Sequence, residues 1–388
     1  MSLRKKYEKN WGRLGMRSDW KYETIADVCE VVTDGSHYSP KSVQNGKYMV
    51  SVKDFTEYGF DFLGCRQISD KDYKDLERGG CVPEYNDILI GKDGARYFED
   101  IILYQQLEKP ALLSSIAILR FDENKIVPEF LYYLLKTPSV RKNVKDNYGS
   151  GSAIPRIVLK DFRRMPVCYP DIETQKKIVS VLKDIDEKIQ LNARINKNLE
   201  QQVQAVFNEM FPDIFSFNTD ATLQDLITFA NGKKRPKTIG NIPVYGGNGI
   251  LAYTDKSNAD NCVIIGRVGA YCGNTFLCFD KCWISDNAIQ AKSRTGSSPL
   301  FVYYLLRNAS LSSRHIGTGQ PLMTQGILNA IPIKNPTEEK ISAFIEICTP
   351  VHMMISANRQ QNESLASMRD SLLPELMSGE FDVSDIDI

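Results

Sequence analysis

The sequence predicts an α+β protein with two pseudo-symmetric domains of mixed α/β structure and short strands. Each domain is followed by a long helix, and the two helices are predicted to pair as an antiparallel coiled coil. Three observations support this fold class: the chain repeats itself, each copy ends in a long heptad pattern, and short apolar runs broken by turn residues fill the rest. The chain has 388 residues, 42% of them hydrophobic, which suits about two to three domains of ordinary core.

The repeat consists of short motifs that recur at an offset of about 166 to 175 residues, far longer than a solenoid repeat. Phe130-Leu-Tyr-Tyr-Leu-Leu135 returns as Phe301-Val-Tyr-Tyr-Leu-Leu306, and a Gly-x-Gly pair follows each copy. Looser pairs are Thr24–Asp27 with Thr222–Asp225, Asp87–Ala95 with Cys262–Ala270, and Met165–Val167 with Ile331–Ile333. We therefore interpret the chain as a duplicated unit, made of a mixed domain and a long helix.

The mixed domains are predicted to contain short strands and two short helices. The predicted strands are Ile88–Ile90, Leu112–Arg120, Val263–Ile265 and Trp283–Ile289. Pro243–Gly249 is predicted to be a glycine-rich loop. The shared Tyr-Tyr motif lies in the predicted short helices, at 128–137 and 299–308.

Each long helix is predicted from a heptad pattern with apolar residues in 3-4 spacing. The first seam runs from Ile178 to Met210. Adding 166 to these numbers gives a second seam, which includes Arg369 at one position. Pro170 and Pro336 precede the helices, Pro212 is expected to end the first, and Pro374 and Gly379 are expected to end the second.

Asparagines interrupt both seams at the same depth, Asn192 and Asn196 in the first and Asn358 and Asn362 in the second. Asparagine at a seam position lowers stability but fixes register and partner. The coincidence therefore predicts that the two helices meet. Either orientation is sterically allowed, and a pseudo-two-fold arrangement favours the antiparallel one. The alternative is two unrelated amphipathic helices, each packed on its own domain.

Composition excludes several classes of protein for this chain. Lys+Arg and Asp+Glu both number 48, so nucleic-acid binding would have to come from local basic segments such as 140–165 and Lys233–Lys237. No apolar run reaches the ~18 residues of a membrane span, and the basic N-terminus has no apolar core of a secretory signal. Nine cysteines, an odd number scattered along the chain, indicate a reducing cytoplasm rather than a disulfide framework.

Catalytic and metal-binding motifs are not found in the sequence. There is no Gly-x-x-x-x-Gly-Lys-Ser/Thr loop for ATP and no Asn/Asp-Pro-Pro-aromatic run for a target adenine, which argues against a self-contained methyltransferase. The nearest approach to a zinc cluster is Cys262, Cys272, Cys278 and Cys282, which lacks any Cys-x-x-Cys. Buried thiols are the favoured interpretation there, and no metal site is predicted. Gly246–Gly249 is a weak mimic of a phosphate loop, and a turn is favoured.

The remaining chemistry indicates DNA recognition. Arg and Lys suit guanine, Asn and Gln suit adenine, Ser suits either, and Gly allows close approach of the backbone to phosphates. The candidate DNA-binding residues are Ser36, His37, Lys92, Arg96, Tyr97, Ser150, Ser152, Arg156, Lys233, Lys234, Arg235, Asn248, Arg267, Tyr271, Asn274 and Gln320. For any single one, the alternative is an ordinary surface loop residue.

Several of these stretches resemble the specificity (S) subunit of Type I restriction-modification systems, over about residues 20 to 380. The matching stretches are Val32–Pro40, Ile154–Ile157, Pro243–Ile250, Ile265–Asn274, Ile284–Ala288 and Asn362–Glu380. The last of them is the most specific. The recognition loops vary widely within such a family, so the resemblance assigns few individual contacts.

The resemblance implies a non-catalytic, sequence-specific DNA-binding subunit in which each of two target-recognition domains recognises one half of a bipartite asymmetric DNA target. The helices would act as spacer and as docking platform for two modification (methyltransferase) subunits, which restriction (translocase/nuclease) subunits would join. No cofactor is expected on this chain, because S-adenosylmethionine, ATP and Mg would lie on the partner subunits. The alternatives are an enzyme with fused methyltransferase or nuclease activity, and a coiled-coil adaptor without DNA readout.

This interpretation divides the chain linearly and places the protein in the cytoplasm, without a membrane partner. The predicted segments are an N-terminal arm at 1–18, target-recognition domain 1 at 19–170, long helix 1 at 171–217, target-recognition domain 2 at 218–336, long helix 2 at 337–378 and an acidic tail at 379–388.

Overall fold

The computed structural model describes residues 19–149, 155–216, 218–317 and 321–386. The chain forms two compact units. Unit 1 combines residues 1–190 with residues 362–388, and unit 2 consists of residues 191–361. These units are defined by contacts and so differ from the linear segments predicted above. The predicted arm at 1–18 lies outside the described residues.

Unit 1 contains three small sheets. The strands are β1 Lys21–Thr24, β2 Cys29–Asp34, β3 Lys47–Val50, β4 Arg66–Ile68, β5 Ile88–Gly91, β6 Ile101–Leu103, β7 Ala111–Leu112, β8 Ile116–Phe121 and β9 Pro166–Tyr169. They form an antiparallel sheet of order β2-β8-β5-β6, a sheet of order β4-β3-β7 in which β3 and β7 are parallel, and the antiparallel pair β1-β9.

Unit 2 repeats these three sheets strand by strand. Its strands are β10 Ala221–Thr222, β11 Ile227–Asn231, β12 Ile242–Gly246, β13 Gly249–Thr254, β14 Cys262–Gly266, β15 Thr275–Cys278, β16 Trp283–Ile284, β17 Ala288–Ser293 and β18 Pro332–Ile333. The orders are β11-β17-β14-β15, β13-β12-β16 with β12 and β16 parallel, and β10-β18. The duplication predicted from the sequence is therefore present in the strand topology.

The helices follow the same repeat, except that Asp70–Arg78 and Pro138–Asn147 have no α-helical counterpart among the described residues of unit 2. The helices are α1 Ile25–Val28, α2 Asp70–Arg78, α3 Pro128–Lys136, α4 Pro138–Asn147, α5 Leu159–Arg164, α6 Ile172–Met210, α7 Leu223–Leu226, α8 Pro299–Asn308, α9 Gln325–Asn329 and α10 Glu338–Ser378. The Thr24/Thr222 pair in the sequence marks two capping boxes, since each threonine caps a short helix whose third residue is Asp. Within the described residues, no helix is both long and apolar enough to cross a bilayer.

The core of unit 1 joins the mixed domain to both long helices. Phe130 and Leu134 of α3 belong to one cluster with Leu182 of α6 and Leu376 of α10. The predicted acidic tail also contributes, because Val383 is only 4% exposed in this core. Lys177 Nζ holds the tail by donating to the Ser384 carbonyl at 2.8 Å.

The core of unit 2 is built around aromatic rings. Phe207 of α6 and Phe211, just after the end of α6, pack against Phe301 of α8 and Phe344 of α10, with ring centroids between 5.2 Å and 6.3 Å apart. Tyr304 of α8 packs on the same Phe344 at 5.8 Å. Such offset and edge-on pairs add stability beyond the area that they bury. The short helix with the shared Tyr-Tyr motif therefore packs each mixed domain against the long helices.

The ends of the long helices differ in detail from the prediction. Helix α6 ends at Met210, before Pro212 and before the predicted boundary at 217. Pro374 and Gly379 are both expected to end the second helix, but α10 continues through Pro374 to Ser378 and ends immediately before Gly379, which has φ +74°. A proline inside a helix removes one backbone donor. Here the helix continues because Leu376 and Met377 beyond the proline are buried in the core of unit 1.

The seam asparagines make hydrogen bonds between the two long helices inside each unit. In unit 1, Asn362 Nδ2 donates to the Ile189 carbonyl at 3.1 Å. In unit 2, Asn358 Nδ2 donates to Asn196 Oδ1 at 2.8 Å, and Asn192 Nδ2 donates to Gln361 Oε1 at 2.7 Å. Residue numbers on α10 fall as those on α6 rise, which is the antiparallel order. Supercoiled packing of the pair stays a prediction.

The predicted seam shifts by one residue at two places. Ile185 and Val206, which the heptad spacing places in the seam, are half-buried, whereas their neighbours Asp186 and Phe207 are buried. A straight α-helix has 3.6 residues per turn, so it drifts away from a strict seven-residue repeat. The shift brings a carboxylate into the interior of unit 1.

Three predicted local structures need correction. Leu112–Arg120 contains two strands, β7 and β8, and Trp283–Ile289 contains β16 and the start of β17, each pair separated by a turn. The expected loop at Pro243–Gly249 is wrong: β12 and β13 form a hairpin there, with Gly249 at φ +92° in the tight turn. The strands at Ile88 and Val263 are confirmed.

Candidate nucleic-acid interface

Each unit brings together three segments, and all of them except the third segment of unit 2 contain predicted DNA-binding residues. We name them loop A, which follows the first strand of the four-stranded sheet, loop B, which follows the buried central strand, and segment C, which follows the Gly-x-Gly region. In unit 1 they are A1 (34–40), B1 (92–97) and C1 (155–157). In unit 2 they are A2 (231–237), B2 (267–271) and C2 (321–323).

Matching backbone hydrogen bonds hold loop B to segment C. In unit 1, the Gly94 amide donates to the Pro155 carbonyl at 2.9 Å, and the Ile157 amide donates to the Lys92 carbonyl at 3.0 Å. In unit 2, Gly269 donates to Pro321 at 2.9 Å, and Met323 donates to Arg267 at 2.8 Å. These bonds make Lys92 equivalent to Arg267, and Arg156 equivalent to Leu322.

Loop A is held in the same way in both units. The Gly35 amide donates to Ile116 and the Gly232 amide donates to Ala288, both at 3.0 Å. Both glycines are required, because a Cβ at either one would collide with the carbonyl of the neighbouring turn. The residue that follows, Ser36 in A1 and Lys233 in A2, therefore occupies the equivalent position.

One turn joins loops A and B in each unit. In unit 1 this turn is 113–115: Ser36 forms a bridge with Leu113, and the Lys92 amide donates to Ser115 at 2.9 Å. In unit 2 it is 285–287, where Lys233 forms a bridge with Ser285 and the Arg267 amide donates to Asn287 at 3.0 Å. The three segments therefore form one surface at corresponding places in the two units.

Two predicted contact residues of unit 1 are buried. Lys92 is 7% exposed, and its Nζ lies 3.2 Å from Asp34 Oδ2 and 3.9 Å from Asp93 Oδ2. Ser36 is 8% exposed, and its Oγ donates to the Tyr38 carbonyl at 2.8 Å. In this structure Lys92 ties loop A1 to loop B1, and Ser36 closes the turn of A1.

The exposed candidates in unit 1 are His37, Arg96 and Arg156. Arg96 pairs with Asp100 at 2.6 Å, and that hydrogen bond raises the pKa of the guanidinium. Arg156 forms an antiparallel backbone bridge with Asp93. Tyr97 is half-buried beside Gly149, at the edge of the Gly-x-Gly region.

The basic segment 140–165 is partly neutralised within unit 1. Arg141 and Lys145 both pair with Glu99, and the hydrogen bond from Lys145 lowers the pKa of that carboxyl. Arg164 pairs with Asp161 at 2.7 Å. Much of the positive charge counted in the sequence is therefore used in ion pairs.

The loop A2 side chains Lys233, Lys234 and Arg235 are exposed. The Trp283 indole donates to the Lys233 carbonyl at 3.2 Å and so fixes the loop backbone. Arg267 is half-buried, and its Nη1 lies 3.5 Å from the Asp286 carbonyl.

The hairpin turn of unit 2 lies beside loop B2. A Cβ at Gly247 would lie 3.8 Å from Tyr271 Cβ and from the Val268 carbonyl. Asn248 and Tyr271 are both exposed there, and the exposed Asn274 donates its amide to the Tyr271 carbonyl at 3.1 Å. The structure thus places these three residues near Arg267. Ser150, Ser152 and Gln320 lie outside the described residues, and DNA contact by any candidate stays a prediction.

Several residues that shape the interface were missed in the sequence. Asp34 and Asp93 set the environment of Lys92, and Trp283 fixes loop A2. Ser285 Oγ and Arg267 Nε are buried and find no hydrogen-bond partner among the described residues. In the sequence, Ser285 lies in the stretch Ile284–Ala288 that carries the family resemblance. Its equivalent in the first copy is Leu113, which strand pairing identifies and local sequence does not.

The cysteines of unit 2 are buried thiols. Cys262 pairs with Cys278 across strands β14 and β15, and Cys282 is fully buried in the same cluster. Hydrogen bonds to Cys262 and Cys278, together with burial, raise the pKa of Cys282. Among the described residues, no group of three or more His, Cys, Asp or Glu side chains could hold a metal ion.

Comparisons with known proteins match most of the chain. The family model described as "Type I restriction modification DNA specificity domain" matches residues 17–201 and 218–365. The HindI specificity subunit of Haemophilus influenzae is 28% identical over 205 residues, which span 50% of this chain and 41% of that protein. The MjaIX specificity subunit of Methanocaldococcus jannaschii is 23% identical in an alignment of 421 positions that covers 95% of each chain.

One solved structure supports the same fold. The type I restriction-modification S subunit from M. genitalium aligns with a TM-score of 0.52 and 16% identity, over 93% of this chain and 96% of that one. At this identity the likeness concerns the fold alone.

Proposed function

This chain belongs to the family of type I restriction-modification DNA specificity domains, and from that membership we propose that it is a specificity subunit that binds DNA. Each unit recognises one half of a bipartite, asymmetric target. The recognition surface of each unit consists of loop A, loop B and segment C. The two matches to the family model, one per repeat, support two recognition domains in one chain.

One observation carries the proposal of an asymmetric target. The same backbone hydrogen bonds present different side chains in the two units, Arg156 against Leu322 in segment C and Asp93 against Val268 in loop B. A cationic guanidinium suits guanine, whereas an aliphatic side chain offers only apolar contact, for example with a thymine methyl. Two equivalent scaffolds with unlike side chains recognise unlike base sequences.

We further propose that the subunit is non-catalytic and works with partners. Two modification subunits would supply S-adenosylmethionine and methyl transfer, and restriction subunits would supply ATP- and Mg-dependent translocation and cleavage. The named relatives are specificity subunits, which supports this division of labour. The cytoplasmic location is part of the same proposal, and nine free cysteines suit a reducing compartment.

The long helices are proposed as spacer and docking platform. Each helix contributes residues to both units, because α6 crosses the boundary at 190 and α10 crosses it at 361. Helical segments act as semi-rigid spacers of about 1.5 Å per residue. Exposed apolar side chains on α10, including Met353 and Met368, are available to a partner.

Sequencing of methylated adenines tests the proposed function. The chain is expressed with its modification subunits in a host that lacks other adenine methylation. We expect methylation at a two-part motif with a constant gap, and none when the modification subunits are expressed without this chain. A continuous motif, or methylation that does not require this chain, would contradict the proposal.

Two assays separate the alternatives. The purified chain alone, incubated with labelled S-adenosylmethionine and DNA, should transfer no methyl group, whereas a fused methyltransferase would transfer it. Fluorescence anisotropy with the assembled complex should show DNA binding. An adaptor without DNA readout would bind no better than the modification subunits alone.

A further inference from the structure

Loops A1 and A2 are equivalent in backbone but opposite in charge. Loop A2 contains Lys233, Lys234, Arg235 and Lys237 and no acidic residue. Loop A1 contains Asp34 and neither lysine nor arginine. The same amide hydrogen bonds hold both loops to the sheet, so the difference lies in the side chains alone.

The bases of loop A2 are available for an external anion. All four are exposed, and within the described residues none of them forms an ion pair. The acidic residue on the neighbouring turn is Asp286, which forms no ion pair among the described residues and whose carbonyl accepts from Arg267 at 3.5 Å. The loop backbone is held by Gly232 and by the Trp283 indole, so little ordering is needed when an anion binds.

The corresponding surface of unit 1 uses most of its charge internally. Lys92 is buried against Asp34, and Arg96 pairs with Asp100. Nearby, Lys145 pairs with Glu99. A carboxylate beside a base cancels much of its charge, so the pair presents little net positive potential to a phosphate. Arg156 is the exposed base of the three unit 1 segments without a side-chain ion pair among the described residues.

We propose that the two recognition surfaces bind DNA by different physical means. Loop A2 is a phosphate clamp that supplies most of the salt-dependent affinity, and unit 1 binds its half-site with little release of counterions. This inference rests on the proposed function, since it assumes that both units bind duplex DNA. Each phosphate neutralised by a lysine or arginine contributes about −0.9 to the slope of log K against log salt, so the clamp should dominate that slope.

A salt titration of paired variants tests the inference. The full chain assembled with its modification subunits is titrated onto a fluorescent mixed-sequence duplex at several salt concentrations. The variant Lys233→Ala/Lys234→Ala should reduce the steepness of the slope by about 1.8 and weaken binding at low salt. The matched control, Lys256→Ala/Lys281→Ala, removes the same charge from exposed positions elsewhere in unit 2 and should leave the slope unchanged.

A reciprocal variant tests the same idea in unit 1. His37 and Tyr38 are exposed and occupy the positions of Lys234 and Arg235. His37 Nε2 lies 3.6 Å from Asp34 Oδ2, so a lysine at this position would be largely neutralised by that carboxylate. His37→Lys/Tyr38→Arg should therefore increase the steepness of the slope by about 0.9, mainly through the arginine. Every substitution is on the surface, so all variants should fold. Thermal melts of each variant check this.

The outcomes distinguish this inference from the proposed function. If the control variant reduces the slope as much as the loop A2 variant, or the loop A2 variant changes nothing, the clamp is wrong while DNA recognition stands. If the wild-type complex binds the duplex no better than the modification subunits alone, the proposed function fails and the clamp fails with it.

Discussion

Lys92 and Arg156 have the same formal charge and lie on loop B1 and segment C1, which are joined by backbone hydrogen bonds. Of the two side chains, only that of Arg156 is available to a ligand. Lys92 is enclosed with Asp34, while the Arg156 side chain is exposed. Because Lys92 is buried, its charge links loop A1 to loop B1 and does not reach the surface. At the scale of single residues, exposure and pairing therefore decide which of the predicted contacts can take part in binding.

Substitution of Arg156 by alanine should weaken DNA binding and leave assembly with the modification subunits intact. If the guanidinium contacts a base, the loss should be about 1 to 3 kcal/mol, with relaxed specificity at one position. If it contacts a phosphate, the salt slope should fall by about one unit instead. Anisotropy titrations and the methylation motif measure these effects. Lys160→Ala, also exposed, is the matched control, and unchanged affinity and motif would show Arg156 to be an ordinary surface residue.

A second residue-scale prediction concerns His352, whose Nε2 lies 3.0 Å from Tyr304 Oη. Burial, reinforced by Arg359 and Arg307, lowers the pKa of His352 to about 4. The unfolded chain, with a histidine pKa of ~6.5, binds the proton first as pH falls. Stability should therefore be full above about pH 6.5 and decrease toward pH 4, by on the order of 2 kcal/mol at pH 5.

Urea unfolding at pH 7 and pH 5 measures this loss. The variant His352→Gln keeps a side chain that can bond to Tyr304 but does not titrate, so it should lose less stability than wild type over the same interval. An equal loss in both proteins would show that other groups cause the acid sensitivity.

At the scale of elements, the duplicated helices contain different chemistry at matching points. The tyrosine of the shared Tyr-Tyr motif, Tyr133 in α3 and Tyr304 in α8, bonds to a long helix in each unit. In unit 1, Tyr133 Oη donates to Asp186 Oδ2 at 2.9 Å, and Arg369 Nη1 lies 2.8 Å from Asp186 Oδ1. In unit 2, the partner of the tyrosine is His352. One helix pair thus holds an ion pair in unit 1 and a neutral pair in unit 2.

Removal of Arg369 should destabilise unit 1 specifically. Asp186 is 4% exposed, and Arg369→Leu would leave its charge uncompensated, which costs about 3 to 5 kcal/mol for a buried pair. Hydrogen exchange should accelerate in α3 and β1 and stay unchanged in α8 and β14. The double variant Asp186→Asn/Arg369→Leu removes the stranded charge and should recover most of the protection. Uniform acceleration in both units would contradict a local role.

The elements were predictable where the signal is local, and the ion pairs were not. Heptad spacing predicted both long helices, and the repeated Tyr-Tyr motif predicted the short helices that pack against them. Asp186 lies one position off the heptad, and its partner Arg369 belongs to the other end of the chain, so nothing local links them. Loop composition likewise located the candidate interface, but the burial of Lys92 depends on Asp34, which a different strand supplies.

At the scale of the whole molecule, the two units have separate cores. The cluster around Phe130 belongs to unit 1 and the cluster around Phe207 belongs to unit 2. Separate cores allow one unit to change while the other keeps its structure. The recognition surfaces should accordingly be exchangeable one at a time.

Exchange of residues 19–165 for the equivalent segment of a relative should change one half of the methylation motif and preserve the other. The replacement must keep the apolar contacts to Leu376 and Val383, because these residues complete the unit 1 core. Methylome sequencing of the chimaera gives the result. A motif in which both halves change together would show that the units are not independent.

The division of unit 1 into residues 1–190 and 362–388 has a consequence for biosynthesis. The ribosome makes the first part of unit 1, then all of unit 2, and only then the segment with Leu373, Leu376 and Val383 that closes the first core. At about 5 to 20 residues per second, synthesis of residues 191–361 takes on the order of 10 to 30 s. Throughout this interval the nascent N-terminal half keeps apolar surface open, and the unit begun second is completed first. A messenger RNA truncated within the unit 2 coding region would therefore release a chain whose first half is susceptible to proteolysis.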